Sequence, residues 1–210
     1  MTKLETLFKK NREWAHRRKT NDPEFFEKLA SQQNPEYLWI GCSDSRVPAN
    51  EIVDLLPGEI FVHRNVANMV VHTDFNCLSV LTYAIDILKV KHVIVVGHYG
   101  CGGIRAAYRD ADNGLIDNWL LHIKDVHHRH RSRIEAGEDE EARLNLLCEY
   151  NVKTQVAHVC HTTITQNAWA RGQELSVHGW VYSLKDGLLQ DLNCTVNRPE
   201  QIPDAYRVST

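Results

Sequence analysis

Hydrophobic residues along the chain follow two spacings, and each spacing predicts a different kind of element. Three short, nearly continuous apolar runs are typical of strands buried on both faces: "YLWIGCSD" (37–44), "EIFVHRNVAN" (59–68) and "HVIVVGH" (92–98). The segment "LSVHGWVYSLKDGLLQDL" (175–192) predicts two more strands joined by a Lys-Asp-Gly turn. These runs supply the strands of a sheet.

Elsewhere, apolar residues recur every three or four positions, which predicts amphipathic helices. Asp74 is the predicted N-cap of one of them, and Asp22 and Pro23 in "NDPEFFEKLA" predict the start of a further short helix. The apolar stripes are Leu4, Leu7, Phe8 and Trp14; Leu78, Leu81, Ile85 and Leu88; Ile116, Trp119, Leu120, Ile123 and Val126; and Val152, Val156 and Val159.

The order of these elements predicts the fold class. Repeated strand, crossover helix and strand predict an α/β fold, in which a mostly parallel central β-sheet is flanked by helices. No internal repeat or linker divides the 210 residues, so residues 1–210 are predicted to form a single domain. Residues 1–30 are predicted to form an N-terminal helical arm that packs on a partner subunit.

Charge and hydropathy narrow the function classes. The net charge of −3 gives no electrostatic footprint for nucleic acid, and no apolar run approaches the ~18–20 residues of a membrane span. The N-terminus lacks the apolar core of a signal peptide, so a cytoplasmic location is expected. In that reducing compartment the six cysteines are expected to be thiols or metal ligands rather than disulfides.

Reactive side chains follow two predicted strands at the point where each strand ends. "GCSDSRVP" (41–48) places Cys42, Asp44 and Arg46 on alternate positions, and "GHYGCGG" (97–103) separates His98 from Cys101 by two residues. Because ligands of open parallel sheets bind beyond the carboxyl ends of the strands, both segments are expected to meet in one crevice. Two thiolates and an imidazole favour zinc.

The ordinary alternative is that these two cysteines and the histidine are buried core residues. That interpretation leaves unexplained why Asp44 and Arg46 carry charges at the exit of a buried strand, where a charge is costly without a partner.

These two motifs, together with "FVHRNVAN", "NCLSV" and "HGWVY", resemble the β-class carbonic anhydrases over about residues 14–192. The resemblance implies a zinc-dependent enzyme, a homodimer or homotetramer with one Zn²⁺ per subunit. It would reversibly hydrate carbon dioxide to bicarbonate and a proton by attack of zinc-bound hydroxide. The implied roles are zinc ligation by Cys42, His98 and Cys101, a catalytic pair of Asp44 and Arg46, and substrate contacts from Gln33 and Gly102.

Asp44 is expected to alternate between two partners. Paired with Arg46, it orients the reacting hydroxide and leaves the fourth zinc position open; turned away, it binds zinc itself and blocks that position. A structural ion pair is the plainer interpretation, although exposed pairs add little stability. Two thiolates reduce the positive charge at zinc, so activity is expected to rise at higher pH than in a site of three histidines.

The resemblance is closest to bacterial members of the family that carry a non-catalytic bicarbonate pocket. There a Trp, an Arg and a Tyr hold the anion and favour the blocked form, and the matching residues are Trp39, Arg64 and Tyr182. Periodicity alone would instead place the two aromatic residues in the core and pair Arg64 with a nearby carboxylate.

Two other functions compete with this interpretation. A thiol-based phosphatase needs Cys and Arg six positions apart, whereas Cys42 and Arg46 are four apart. A binding module with structural zinc would need a closed site in which every ligand comes from protein. The histidines of "DVHHRHRSR" (125–133) are expected on a solvated helix face, with a metal or pH-sensing role as the alternative.

Overall fold

A mostly parallel β-sheet organises the molecule. The structure, a computed structural model, describes residues 2–31, 33–109 and 111–208. Within them five strands form one sheet in the order β2-β1-β3-β4-β5, with β5 antiparallel to β4 and the other pairs parallel. The strands are β1 (Tyr37–Cys42), β2 (Ile60–Asn65), β3 (His92–His98), β4 (Ser176–Tyr182) and β5 (Leu189–Asp191). The predicted α/β fold is confirmed.

Most of the helices pack against one face of this sheet. The helices are α1 (Lys3–Asn21), α2 (Phe25–Ser31), α3 (Ala49–Ile52), α4 (Phe75–Thr82), α5 (Gly102–Tyr108), α6 (Ile116–Arg129), α7 (Arg131–Ile134), α8 (Glu140–His161) and α9 (Thr163–Ala170). Short 3-10 turns occur at Val66–Asn68, Pro199–Gln201 and Asp204–Tyr206. No helix in the described ranges has the length and apolar content needed to cross a lipid bilayer.

The central strands β1 and β3 are buried on both faces because their side chains alternate between two hydrophobic clusters. Leu38 and Ile40 point into the larger cluster, which includes residues of α4, α6 and α8. Trp39 and Ile94 point into a smaller cluster on the other face. A continuous apolar run is the sequence pattern that such a strand requires.

Several element boundaries differ from the predicted ones. The strands predicted at 37–44 and 59–68 end at Cys42 and Asn65, and the chain then turns through Ala67 and Asn68, both at positive φ (63° and 49°). The helix predicted to begin at Pro23 begins at Phe25, because Asp22 first closes α1 and then accepts a hydrogen bond from the Glu24 backbone N–H. Asp74 caps α4 as predicted.

The N-terminal helices form the predicted helical segment, and α1 exposes much of its apolar stripe. Trp14 packs edge-on against Phe25 and Phe26 of α2, with ring centroids 6.5 and 5.8 Å away. Leu7 and Phe8 are 59 and 67 % exposed. The apolar face of an amphipathic helix normally packs against another surface of the protein or of a partner. In the described residues, Leu7 and Phe8 of α1 remain largely exposed instead.

Candidate metal centre

Two adjacent strands bring the predicted ligands together at the carboxyl edge of the sheet. Cys42 is the last residue of β1 and His98 the last of β3, and these strands pair in parallel. Cys101 follows β3 and immediately precedes α5. The turn between them passes through Gly100 at φ 71°, a left-handed conformation that favours glycine. The crevice predicted from the two motifs is therefore present.

The donor atoms fit a divalent metal. Cys42 Sγ and Cys101 Sγ are 3.8 Å apart, and the ligand atoms of Cys42, His98 and Cys101 all lie within 4.8 Å of one another. Two sulfurs at ~2.3 Å from a tetrahedral zinc would stand about 3.8 Å apart. All three side chains are buried. The spacing and the donor types match a zinc site with one free position.

The imidazole of His98 presents the nitrogen that a metal needs. Its Nδ1 lies 3.1 Å from the Tyr99 carbonyl, which only accepts, so Nδ1 carries the proton and Nε2 of the neutral ring has a lone pair. Nε2 is buried and finds no hydrogen-bond partner among the described residues. Because a buried polar atom without a partner is costly, this nitrogen indicates a missing ligand.

Removing one proton from the pair of thiols is favourable, whereas removing the second places two negative charges side by side. The Cys101 thiol lies within hydrogen-bonding distance of the Cys42 sulfur and lowers the pKa of Cys42 below its usual value. The Cys42 sulfur, together with burial, raises the pKa of Cys101 well above its usual value. A cation between the sulfurs would favour deprotonation of both thiols.

Asp44 faces Arg46 in this structure. Arg46 donates from Nε to Oδ1 at 2.9 Å and from its terminal nitrogen to Oδ2 at 2.7 Å. These hydrogen bonds hold the pKa of Asp44 well below its usual range. Asp44 Oδ2 is also 3.8 Å from His98 Nε2, so the carboxylate borders the donor set without occupying it.

Side chains of helix α8 donate hydrogen bonds to the backbone around the centre, and the sequence did not single out these residues. The Cys148 thiol donates to the His98 carbonyl at 3.3 Å, and Asn151 donates to the Ala67 carbonyl at 3.0 Å. A long-range contact between side chain and backbone leaves no signal in local spacing.

The region of Trp39, Arg64 and Tyr182 lies on one face of the sheet. Trp39 and Tyr182 pack in the smaller cluster, and Arg64 stands opposite Gly41 on the neighbouring strand. Arg64 donates to the Cys42 carbonyl at 2.8 Å and to the Asp44 carbonyl. In the part of the chain that the structure describes, these carbonyls take the place of the carboxylate partner suggested by periodicity alone.

Gln33 and Gly102 lie at opposite edges of the sheet. Gln33 is exposed and precedes Asn34, which lines a cleft with the loop before β2 at the amino edge. β1 carries the chain ~17 Å from that edge to Cys42. Gly102 follows Cys101 at the carboxyl edge, and a Cβ added to it would meet nothing within 4 Å. The structure thus brings Gly102, but not Gln33, to this chain's own centre.

The histidine-rich segment divides between different surroundings. His127 contacts Glu135 Oε1 at 2.9 Å, and His128 is exposed on α6 as expected. His130 lies past the end of α6 and stacks on Tyr150 with ring centroids 4.4 Å apart. The solvated helix face therefore accounts for only part of the segment.

Comparison with known proteins gives consistent matches. A family model described as carbonic anhydrase matches residues 37–189. A carbonic anhydrase of Emericella nidulans is 50 % identical over 202 residues, which are 96 % of this chain and 88 % of the relative. A relative that is half identical over almost the whole chain shares far more than the metal-site motifs.

Solved structures match over the same extent. One, from Sordaria macrospora and described as a tetrameric β-carbonic anhydrase, has a TM-score of 0.87 at 38 % identity and covers 92 % of this chain and 98 % of its own. A Coccomyxa β-carbonic anhydrase in complex with acetazolamide has a TM-score of 0.90 at 40 % identity and covers 95 % of this chain and 90 % of its own.

Proposed function

The chain belongs to the β-class carbonic anhydrase family, and from this membership we propose that Cys42, His98 and Cys101 hold one Zn²⁺ in each subunit. Carbonic anhydrases catalyse the reversible hydration of carbon dioxide to bicarbonate and a proton. The observation that carries the proposal is the unpartnered, buried Nε2 of His98 beside two sulfurs 3.8 Å apart. Zinc in such a site would acidify a water molecule and so supply the nucleophile.

Asp44 and Arg46 have the positioning role in this proposal. The ionised carboxylate of Asp44 is held at the edge of the donor set, where it accepts a hydrogen bond from the reacting water and fixes the direction of its lone pair. Arg46 keeps this carboxylate away from the metal by occupying both of its oxygens. Released from Arg46, Asp44 would reach the metal and close the open position.

Gly102 and Gln33 are proposed to contact substrate from two different chains. The open space around Gly102 leaves room for carbon dioxide beside its backbone N–H. Gln33 stands at the amino edge of the sheet, so it serves a centre on a partner subunit in a homodimer or homotetramer. The exposed apolar residues of α1 support the same assembly, because residues 1–30 as an arm across a partner would cover them.

The second proposed function is inhibition by bicarbonate at Trp39, Arg64 and Tyr182. Arg64 holds the backbone on either side of Ser43 through the carbonyls of Cys42 and Asp44. Bicarbonate that recruited the guanidinium would loosen this segment and favour the form in which Asp44 binds the metal. By linkage, the anion must bind that blocked form more tightly.

A metal analysis combined with a carbon dioxide hydration assay tests the main proposal. We expect about one zinc per chain in wild type, and loss of both zinc and activity in Cys101→Ser. Cys160→Ser removes a buried thiol outside the centre and is the matched control. Zinc retained in Cys101→Ser, or hydration without metal, would refute the assignment.

The bicarbonate proposal has its own test in Arg64→Ala. Wild type should be inhibited by added bicarbonate with a sigmoidal pH dependence, and the variant should lose both properties. A pH profile identical to that of wild type would remove the regulatory role.

A reducing compartment such as the cytoplasm is the proposed location, because all six cysteines are free thiols and two must ionise to bind the metal. Fractionation of cells that express a tagged full-length chain tests it, and recovery in an oxidising compartment would contradict it.

A further inference from the structure

A concave surface lined by histidines lies away from the metal centre, around the C-terminal half of α8. It encloses about 760 Å³, within the range of small-molecule sites. His158 lies ten residues along α8 from Cys148, which touches the His98 carbonyl, and ten helical residues span about 15 Å. The four histidines that line the surface are His72, His130, His158 and His161.

This surface is positively charged, although the chain as a whole has a net charge of −3. Arg129 and Lys153 line it, and none of the lining residues is acidic. Neither cation forms an ion pair or a side-chain hydrogen bond with another residue in the described ranges, although Lys153 lies over the Tyr150 ring at 5.7 Å. Two fixed cations without counter-charges in a concavity attract anions.

Hydrogen bonds and ring stacking hold the histidine rings in place. His158 Nδ1 donates to the Val70 carbonyl at 2.8 Å, and His72 Nε2 donates to the His158 carbonyl at 3.1 Å. His161 stacks on Tyr206 with ring centroids 4.1 Å apart. The remaining nitrogens, His72 Nδ1 and His158 Nε2, have no partner within the described part of the chain.

Burial first, and neighbouring positive groups second, lower the pKa of three of these rings. Burial, together with the smaller effects of His72, His161 and Arg129, lowers the pKa of His158 to about 4, against the opposing effect of its hydrogen bond to the Val70 carbonyl. Burial also lowers the pKa of His161, and His72 adds to that effect. The pKa of His130 is lowered by burial and then by Arg129 and Arg133.

No carboxylate contributes to any of these three shifts. An anion placed among the rings would act in the opposite direction and raise all three pKa values. Anion binding would therefore be accompanied by proton uptake.

A metal cation is the competing occupant, because neutral imidazoles are good metal ligands. The geometry is against it. In the described residues, Cys42, His98 and Cys101 are the group whose ligand atoms approach one another within 4.8 Å; the histidines here are not so gathered. Arg129 and Lys153 would in addition repel a cation.

We propose that this surface binds a multivalent oxyanion of the polyphosphate or phosphate-ester kind, held by Arg129 and Lys153 and by the imidazoles of His72, His158 and His161. The site is separate from the metal centre and independent of the reaction there. Its affinity rises as pH falls, because each imidazole that gains a proton adds a hydrogen-bond donor and a charge.

Isothermal titration with trimetaphosphate, whose charge does not change near neutral pH, tests the proposal on the zinc-loaded full chain. Affinity should be roughly tenfold or more tighter at about pH 6 than at about pH 8. Titrations in buffers of different ionisation enthalpy should show net proton uptake. Comparing pyrophosphate with a nucleoside diphosphate then distinguishes free phosphate groups from a phosphate ester.

The double variant Arg129→Glu, Lys153→Glu should lose at least about tenfold in affinity at the lower pH, since it replaces two attractive charges with repulsive ones. Lys89→Glu makes one such charge reversal on an exposed lysine outside the surface and is the control for charge reversal as such. Far-UV circular dichroism and carbon dioxide hydration check that the variants fold. Lys153→Ala replaces the double variant if the latter does not fold.

Three results would overturn the proposal. The first is absence of binding by wild type at about pH 6. The second is binding that survives in the charge variants, which would place the anion at the metal centre instead. The third is tight binding of Ni²⁺ at about pH 8 that disappears in His158→Ala, which would assign the surface to a cation.

Discussion

Arg46 binds Asp44 through three of its nitrogen atoms, since its backbone N–H also donates to Oδ1 at 2.9 Å. The backbone contact closes a tight local turn, so the carboxylate keeps one partner even if the guanidinium leaves. These bonds keep the pKa of Asp44 low, and Asp44 is therefore ionised throughout the neutral range. Any pH switch at this position must act by moving the carboxylate rather than by protonating it.

Arg46→Ala should lower kcat/KM by roughly tenfold or more, because the carboxylate loses the group that orients it. Zinc content should not change, since the ligands are untouched. Arg46→Lys keeps the charge but loses the paired N–H donors, so its activity should lie between that of wild type and that of Arg46→Ala. Stopped-flow hydration with metal analysis measures both quantities. An Arg46→Ala enzyme with wild-type rates would show that the pair is only structural.

Gly97 and Gly102, close together in sequence, should respond in opposite ways to alanine. A Cβ at Gly97 would lie 2.6 Å from Val152 Cγ2 and 3.1 Å from Cys148 Sγ. Gly97→Ala should therefore destabilise the fold by about 1–3 kcal/mol, measured by denaturant unfolding. Gly102→Ala should leave stability nearly unchanged and lower kcat/KM, because its methyl group enters the space assigned to substrate. A stable, fully active Gly102→Ala would place the substrate elsewhere.

At the scale of elements, α8 joins the metal centre to the rest of the molecule. Its buried amide side chains bond the backbone that follows β2: Asn151 donates to the Ala67 carbonyl, and Gln155 Oε1 accepts from the Val70 N–H at 2.9 Å. These contacts satisfy a stretch of irregular backbone that would otherwise be buried without partners. The helix therefore fixes the path of the chain on one side of the centre.

His158 on α8 should make stability depend on pH. Its folded pKa of about 4 lies below the ordinary value of 6.5, so the unfolded state binds a proton more readily between these values. The free energy of unfolding should fall as pH drops from about 6.5 to about 4, by on the order of 2 kcal/mol after allowance for partial exposure.

His158→Gln, which keeps an N–H donor for Val70, is the comparison for that prediction. Urea unfolding across this range should give a smaller slope for the variant, and the difference isolates His158 from proton effects at the metal ligands. If the free energy of unfolding depends on pH equally in the two proteins, His158 is not the source of the pH dependence.

The sequence predicts the sheet and the meeting of Cys42, His98 and Cys101 well, because both follow from where the apolar runs begin and end. The run at 92–98 is almost entirely apolar, which predicts a central strand buried on both faces. The observed strand has the same bounds. The end of β2 was predicted three residues too late because the chain turns through Ala67 and Asn68 at positive φ, a conformation that an alanine does not signal. The end of β1 was predicted two residues too late because the strand was extended into the turn at Asp44. The contacts of Cys148 with His98 and of His72 with His158 join distant segments, so no spacing reveals them.

At the scale of the whole molecule, Gln33 and Cys42 of one chain stand at opposite edges of the sheet. A mixture of two inactive variants tests whether partner subunits share the site. Gln33→Ala keeps the ligands, and Cys101→Ser keeps Gln33, so a mixed dimer contains one complete site. Activity should rise above that of either variant after the two are unfolded and refolded together. Mixing two samples of the same variant is the control. If mixing the two variants gives no gain in activity, Gln33 does not act at the site of a partner subunit.

The two sulfurs that nearly touch at the carboxyl edge are separated by 59 positions along the polypeptide. Until β1 and β3 lie side by side, a nascent chain offers a metal only the neighbouring pair His98 and Cys101, without the second sulfur. A metal ion bound at the proposed site would therefore stabilise the finished sheet and not the steps that lead to it, so it should chiefly slow unfolding. A cell short of zinc would then produce chains that fold at the usual pace but come apart and are degraded sooner.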